Sequence, residues 1–165
     1  VRQPIIIIAA MTTDRVIGDG DGMPWDIPAE YQQYLAQVSQ ETMIMGRRSF
    51  EIFGHDIPQA RKIVISRSTG SFASAERAGS LPEAIRLARQ TSRTIFIGGG
   101  ASIYRESLEI ADRMHLSVVK GKYTGDTYFP PFDLSQWRVA VREPHAEFEY
   151  FEYERANKAP HATDP

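Results

Sequence analysis

TIFIGGGASIYRESL, residues 94–108, decides the fold. TIFIG (94–98) is an apolar run with β-branched residues and no polar alternation. Such a run reads as a strand covered on both faces. Gly98, Gly99 and Gly100 then mark a turn, and ASIYRESL (101–108) carries a short helical pattern. Glycines in this place let a ligand approach the backbone, and a helix amino end behind them attracts phosphate. A tight strand-to-helix turn would equally account for them, because the spacing is not G-x-G-x-x-G.

The same unit recurs on either side. IIIIAA (5–10), TMIMG (42–46), KIVIS (62–66) and MHLSVV (114–119) are further short apolar runs. Helical patterns lie between them. In PAEYQQYLAQVS (28–39), Tyr31, Tyr34, Leu35 and Val38 fall on one helical face. SLPEAIRLARQ (80–90) opens with Ser80 and Glu83 in capping-box spacing, with Pro82 near the first helical position. Strands alternating with helices imply parallel pairs joined by crossovers, hence an α/β sheet. The last third changes character. QWRVAVRE (136–143) and EFEYFEYER (147–155) alternate apolar with polar, as an antiparallel hairpin or sheet edge does. ANKAPHATDP (156–165) has the composition of a flexible tail, which leaves 1–155 as one expected domain.

Bulk properties exclude several functions. The 165 residues suit a single domain, and a net charge of −2 gives no whole-surface drive toward nucleic acid or anionic membrane. With no cysteine, a disulfide scaffold, a thiolate zinc site and a cysteine nucleophile are all ruled out. His55, His115, His145 and His161 are scattered without metal-ligand spacing, so no metal is expected. No apolar run approaches the roughly 18 residues of a membrane-spanning helix. VRQPIIIIAAM (1–11) continues into TTDRVIG without a small-residue cleavage pattern, so it reads as a buried first strand rather than a leader. A reduced, intracellular setting is expected.

Three strand ends carry ligand-binding chemistry. Beside the glycine turn at 98–100, MGRRSF (45–50) sets Gly46, Arg47, Arg48 and Ser49 between a strand and a helix, and ISRS (65–68) places Ser66 and Arg67 at another strand end. Ligands of open α/β sheets bind outside the carboxyl ends of strands. Arginine forks suit a phosphomonoester, so NADP(H) fits better than NAD. Each arginine alone would also serve as a solvated surface charge. DGDGMPW (19–25) lacks the spacing of a calcium loop and reads as a lid carrying Met23 and Trp25. Glu30 has two readings. Next to Pro28 it suits the first turn of a helix. Enclosed by Trp25, Tyr31 and Tyr34, it would instead have a raised pKa and bind a heterocycle with adjacent N–H donors. Asp26 is the rival acid, explained by a cap or by solvation.

Taken in order, IAAMTTDRVIGDGDGMPWDIPAE (8–30), MGRRSFE (45–51), IVISRS (63–68), IGGGASIY (97–104) and GDTYFP (125–130) resemble the dihydrofolate reductases, from about residue 5 to 155. The resemblance implies a single-domain α/β fold, with a mixed, mostly parallel eight-stranded sheet and flanking helices. It implies reduction of 7,8-dihydrofolate to tetrahydrofolate by hydride transfer from NADPH, in a cytoplasmic monomer with no nucleic acid or membrane partner. By that likeness Glu30 anchors the pterin, Ser117 supports it through its hydroxyl, and Met23 and Trp25 close over the reacting rings. Ile8, Ala10, Tyr34, Phe53, Ile57 and Tyr104 would contact substrate. The family's arginine for the tail carboxylate has Arg61 as its nearest candidate, though its ungapped place falls on Ala60. Ala10, Ile17, Gly46, Arg47, Arg48, Ser49, Ser66 and Arg67 would contact cofactor, with Gly99, Gly100, Ala101, Ser102 and Ile103 at its pyrophosphate. Asp126 would brace the lid, and Gly98 stands where a larger apolar residue is usual. Two other functions fit the same motifs: another NADPH-dependent reductase of this fold acting on an aminopyrimidine, or a non-catalytic NADP(H)- or folate-binding protein.

Overall fold

A computed structural model describes residues 2–68 and 70–156. Apart from Ala156, the tail expected at 156–165 lies outside the described residues. Among the described residues, ten strands and four α-helices follow one another. They are β1 (Ile5–Thr12), β2 (Val16–Gly18), α1 (Pro28–Val38), β3 (Thr42–Gly46), α2 (Arg47–Phe53), β4 (Arg61–Ile65) and β5 (Glu76–Ala78). Then come α3 (Leu81–Ala88), β6 (Ile95–Ile97), α4 (Ala101–Ser107), β7 (Arg113–Val119), β8 (Thr127–Tyr128), β9 (Trp137–Pro144) and β10 (Phe148–Arg155).

Eight strands form one sheet in the order β5-β4-β3-β6-β1-β7-β10-β9. The first six in that order run parallel, while β10 pairs antiparallel with both β7 and β9. The isoleucine run of β1 explains why the sequence did not alternate. Ile5 and Ile7 face a core shared with Leu81, Ala84 and Ile85 of α3, whereas Ile6 and Ile8 face Val38 of α1 together with Met43, Met45 and Phe96. Both faces are covered, so both sets must be apolar. The alternating β9 and β10 sit at the sheet margin, where β9 exposes most of its residues.

Local signals set the helix starts. The Ser80 side chain accepts the Glu83 N–H at 3.2 Å, and the Glu83 carboxylate accepts the Gly79 N–H at 2.9 Å. Helix α1 begins instead at Pro28 after Ile27, with no side-chain cap, so Asp26 stays exposed and caps nothing. Three strands have no strong sequence signal: β2, β5 and β8 are two or three residues long. β2 and β8 make a separate two-stranded ribbon that carries the 19–22 loop.

Candidate active site

The carboxyl ends of β1, β3, β4 and β6 open on one edge of the sheet, and two recesses lie there. The first is a cleft lined by Ile8, Ala10, Met23, Tyr34, Phe53 and Tyr104, with Glu30 and Ser117 on its floor. The second is a groove of about 620 Å³ lined by Gly46, Arg47, Arg48, Ser66 and Arg67, and by Ala101, Ser102 and Ile103 of the glycine-turn segment. Ile17, Ser49, Phe53 and Gly100 line both, so the two recesses are continuous.

Glu30 is 5 % exposed on the first turn of α1. Its Oε2 accepts the Ser117 hydroxyl at 3.4 Å, across from β7. Burial pushes the carboxyl up to about 7, and the Ser117 hydrogen bond pulls weakly the other way. A carboxyl poised there can hold a proton or release it near neutral pH. The helix-turn reading of Glu30 describes its position on α1 correctly, but that role needs no burial.

The surrounding aromatic groups are fixed from several elements. Tyr31 and Tyr34 stack with ring centroids 5.5 Å apart, and the Tyr31 hydroxyl donates to Asp56. The Tyr104 hydroxyl donates to the Ile8 carbonyl at 2.8 Å, tying α4 to β1. Gly99 turns the chain with φ +96, and a Cβ there would meet the Tyr104 ring at 2.9 Å. At Gly98 a Cβ would fall 2.6 Å from the Met43 sulfur, so a methionine from β3 already fills the space a larger residue would need.

The 19–22 loop is held over the groove. The Gly20 N–H donates to Asp126 at 3.2 Å, and the Arg48 guanidinium bonds Asp21 at 2.6 Å and the Gly20 carbonyl at 3.1 Å. Asp126 thus touches the loop it was expected to brace.

Three expected residues lie elsewhere. Trp25 is buried behind Ala10 and Met23, against Val119, Phe148 and Tyr150, with its ring edge-on to Tyr123; it does not form the cleft surface. Ile57 is fully buried in the apolar core under α1. Arg61 sits at the amino end of β4, far along the strand from the ligand-facing end. Its guanidinium is bound to Glu76 at 2.6 and 2.8 Å and to the Leu87 carbonyl at 2.8 Å. The neighbouring strand and helix satisfy it, so it does not reach the cleft.

The structure also adds Gln33, Gln37, His115 and Tyr150 to the cleft wall. Gln37 Oε1 lies 2.6 Å from His115 Nδ1, and the Tyr150 hydroxyl donates to Glu152 at 2.7 Å. Gln33 and Gln37 follow Glu30 by three and seven residues on one helical face, and His115 precedes Ser117 by two on one strand face, so their periodicity was readable. Tyr150 was not, because it meets Ser117 only through the β7–β10 register. No cluster of three or more His, Cys, Asp or Glu side chains suits a metal among the described residues.

A family model described as dihydrofolate reductase matches residues 4–158. Dihydrofolate reductase type 3 of Salmonella typhimurium is 34 % identical over 142 residues, covering 86 % of this chain and 87 % of that protein. Dihydrofolate reductase of Staphylococcus aureus is 30 % identical over 135 residues, covering 81 % and 82 %. A solved structure of dihydrofolate reductase from Enterococcus faecalis, complexed with NADP(H) and RAB-propyl, superimposes with a TM-score of 0.86 at 24 % identity, covering 93 % of this chain and 97 % of that one.

Proposed function

The chain belongs to the dihydrofolate reductase family, and from that premise we propose how its own residues carry out the reaction. It is an enzyme that reduces 7,8-dihydrofolate to 5,6,7,8-tetrahydrofolate with NADPH. The observation that carries the site assignment is one buried carboxyl, Glu30, on the floor of an apolar cleft that runs into a groove lined by arginines and glycines.

The groove fits an elongated, phosphate-bearing cofactor. The side chains of Arg47, Arg48 and Arg67 and the hydroxyls of Ser49, Ser66 and Ser102 line it. Where groove meets cleft, a Cβ at Gly46 would come within 3.6 Å of the Gly99 carbonyl and narrow the passage. Arg67 and Ser66 hold the 2′-phosphate, and the Gly99–Ile103 segment holds the pyrophosphate. When bound, NADPH supplies the hydride to C6 of the pterin.

Glu30 acts on the other ring. Its carboxylate accepts from the pterin 2-amino group and N3, which favours the N5-protonated form that takes the hydride. In the free enzyme the same carboxyl carries a proton below about pH 7, so the complex forms with that extra proton, which N5 takes through a water under the Met23 lid while Glu30 stays hydrogen-bonded to N3 and the 2-amino group. Ser117 orients Glu30. Ile8, Ala10, Tyr34 and Phe53 position the ring, and Met23 on the lid limits bulk water at the reacting atoms. Consumption of NADPH suits a cytoplasmic setting.

The test is the loss of the NADPH absorbance band on adding 7,8-dihydrofolate. Glu30→Gln should keep NADPH binding and lower turnover by about 10²-fold or more. Near-normal turnover in that variant at neutral pH would sink the role assigned to Glu30.

A further inference from the structure

One guanidinium serves both the lid and the cofactor groove. Arg48 lines the groove, together with Gly20 and Gly22 of the loop facing it. The same Nη2 nitrogen donates to the Gly20 carbonyl at 3.1 Å and to Asp21 Oδ1 at 2.6 Å. Arg48 belongs to α2 and the loop to the β2–β8 ribbon, so these bonds cross the groove from one side to the other.

The Gly20 residue is held by both of its backbone polar groups. Its N–H donates at 3.2 Å to Asp126, which leads into β8 and so belongs to the loop's own ribbon. Its carbonyl is held by Arg48 from the far side. A ligand entering the groove meets the second tether. The Arg48–Asp21 pair is exposed, with side chains 68 % and 91 % accessible. Exposed pairs hold by about fivefold or less, because water and salt screen them. A pyrophosphate offers the guanidinium paired oxygens and more charge than one carboxylate oxygen does, so it wins the exchange. The neighbouring residue shows which part of the cofactor comes here. Ser49 Oγ lies 3.9 Å from where a Cβ on Gly100 would stand. This start of α2 therefore faces the Gly99–Ile103 segment, whereas Ser66 and Arg67 follow β4.

We propose that Asp21 is a positioning residue of the cofactor site: it holds Arg48 across the groove in the free protein, and the cofactor pyrophosphate takes Arg48 from it. This rests on the reading of the groove as the NADPH site. Binding exchanges one tether of the lid for a contact to the cofactor, while the Asp126 tether stays. Met23 lies two residues beyond Asp21 and reaches the cleft, so the exchange frees the segment that closes over the reacting rings.

The experiment is a fluorescence titration with NADPH and with NADH at low and high salt. It uses the unaltered protein, Asp21→Asn, Asp21→Glu, Arg48→Ala and the double variant Asp21→Asn with Arg48→Ala. Asp21→Asn should tighten both cofactors equally, by about threefold at low salt, because the pyrophosphate is common to them. Added salt should erase the gain. Asp21→Glu should restore the original affinity. In the Arg48→Ala background, Asp21→Asn should leave both affinities within about 1.5-fold, since the two residues act as one unit. A gain that persists in full without Arg48 would show plain repulsion of the cofactor by Asp21 and overturn the proposal. Weaker binding in Asp21→Asn would show that the acid only supports the loop, and would overturn it too. Failure of the unaltered protein to bind NADPH is a different result: it would overturn the groove reading itself, and the proposal with it.

Discussion

The chemistry of Glu30 is set by how little water reaches it. Desolvation lifts its carboxyl to about 7, and the long Ser117 contact of 3.4 Å offsets only part of that rise. Ser117→Ala should therefore move the apparent pKa of kcat/KM upward, by less than about one unit for so long a hydrogen bond. The active form is the protonated free enzyme, so activity should persist to higher pH in this variant; a profile shifted downward would contradict the assignment. At the other end of the site, Arg67 and Ser66 line the groove after β4. Arg67→Ala should weaken NADPH by tenfold or more, the scale of one lost charge-assisted contact, and barely change NADH. Fluorescence titration with both cofactors checks this, and equal losses would remove the 2′-phosphate from Arg67.

At the scale of elements, the lid depends on a close crossing. β2 runs so near the 121–126 segment that a Cβ at Gly125 would fall on the Gly18 carbonyl and within 2.7 Å of Val16 Cγ1. Gly125→Ala should push β2 away from β8 and loosen the loop that Asp126 holds through Gly20. Turnover should drop severalfold and amide exchange at residues 18–22 should accelerate, while circular dichroism of the main sheet stays unchanged. The sequence carried the long elements well, because a run such as IIIIAA has one explanation: a strand with two covered faces. The glycine turn between β6 and α4 followed for the same local reason, and Glu30 and the strand-end arginines lie along the two recesses. It did not carry β2, β5 or β8, whose two or three residues hold no period and exist only through their partners. Arg61 went astray because spacing along the chain does not reveal a facing Glu76 on β5. Trp25 went astray because sequence adjacency to the cleft says nothing about depth.

For the whole molecule, a buried acid with a raised pKa couples stability to pH. Folding keeps Glu30 protonated more readily than the unfolded chain does, whose carboxyl titrates near 4.5. That advantage is fully present below about pH 4.5 and disappears as pH rises through about 7, which amounts to roughly 3 kcal/mol across the window. The ligand-free protein should thus unfold more easily at pH 8.5 than at pH 5.5 by about 2 kcal/mol, the part of this contribution lost between those values, and Glu30→Gln should flatten the difference. Urea titrations of both proteins at the two pH values read it directly. The strand order has a consequence of another kind. β10, residues 148–155, is inserted between β7 and β9, and β1 pairs with β7 more than a hundred residues downstream. On the ribosome, the nascent chain therefore has no finished sheet to settle into until Arg155 has cleared the exit tunnel. Completion of the sheet waits for residues 148–155, and until β6 and β7 have emerged the isoleucine-rich β1 is an unpaired strand in the care of whatever chaperones attend the tunnel.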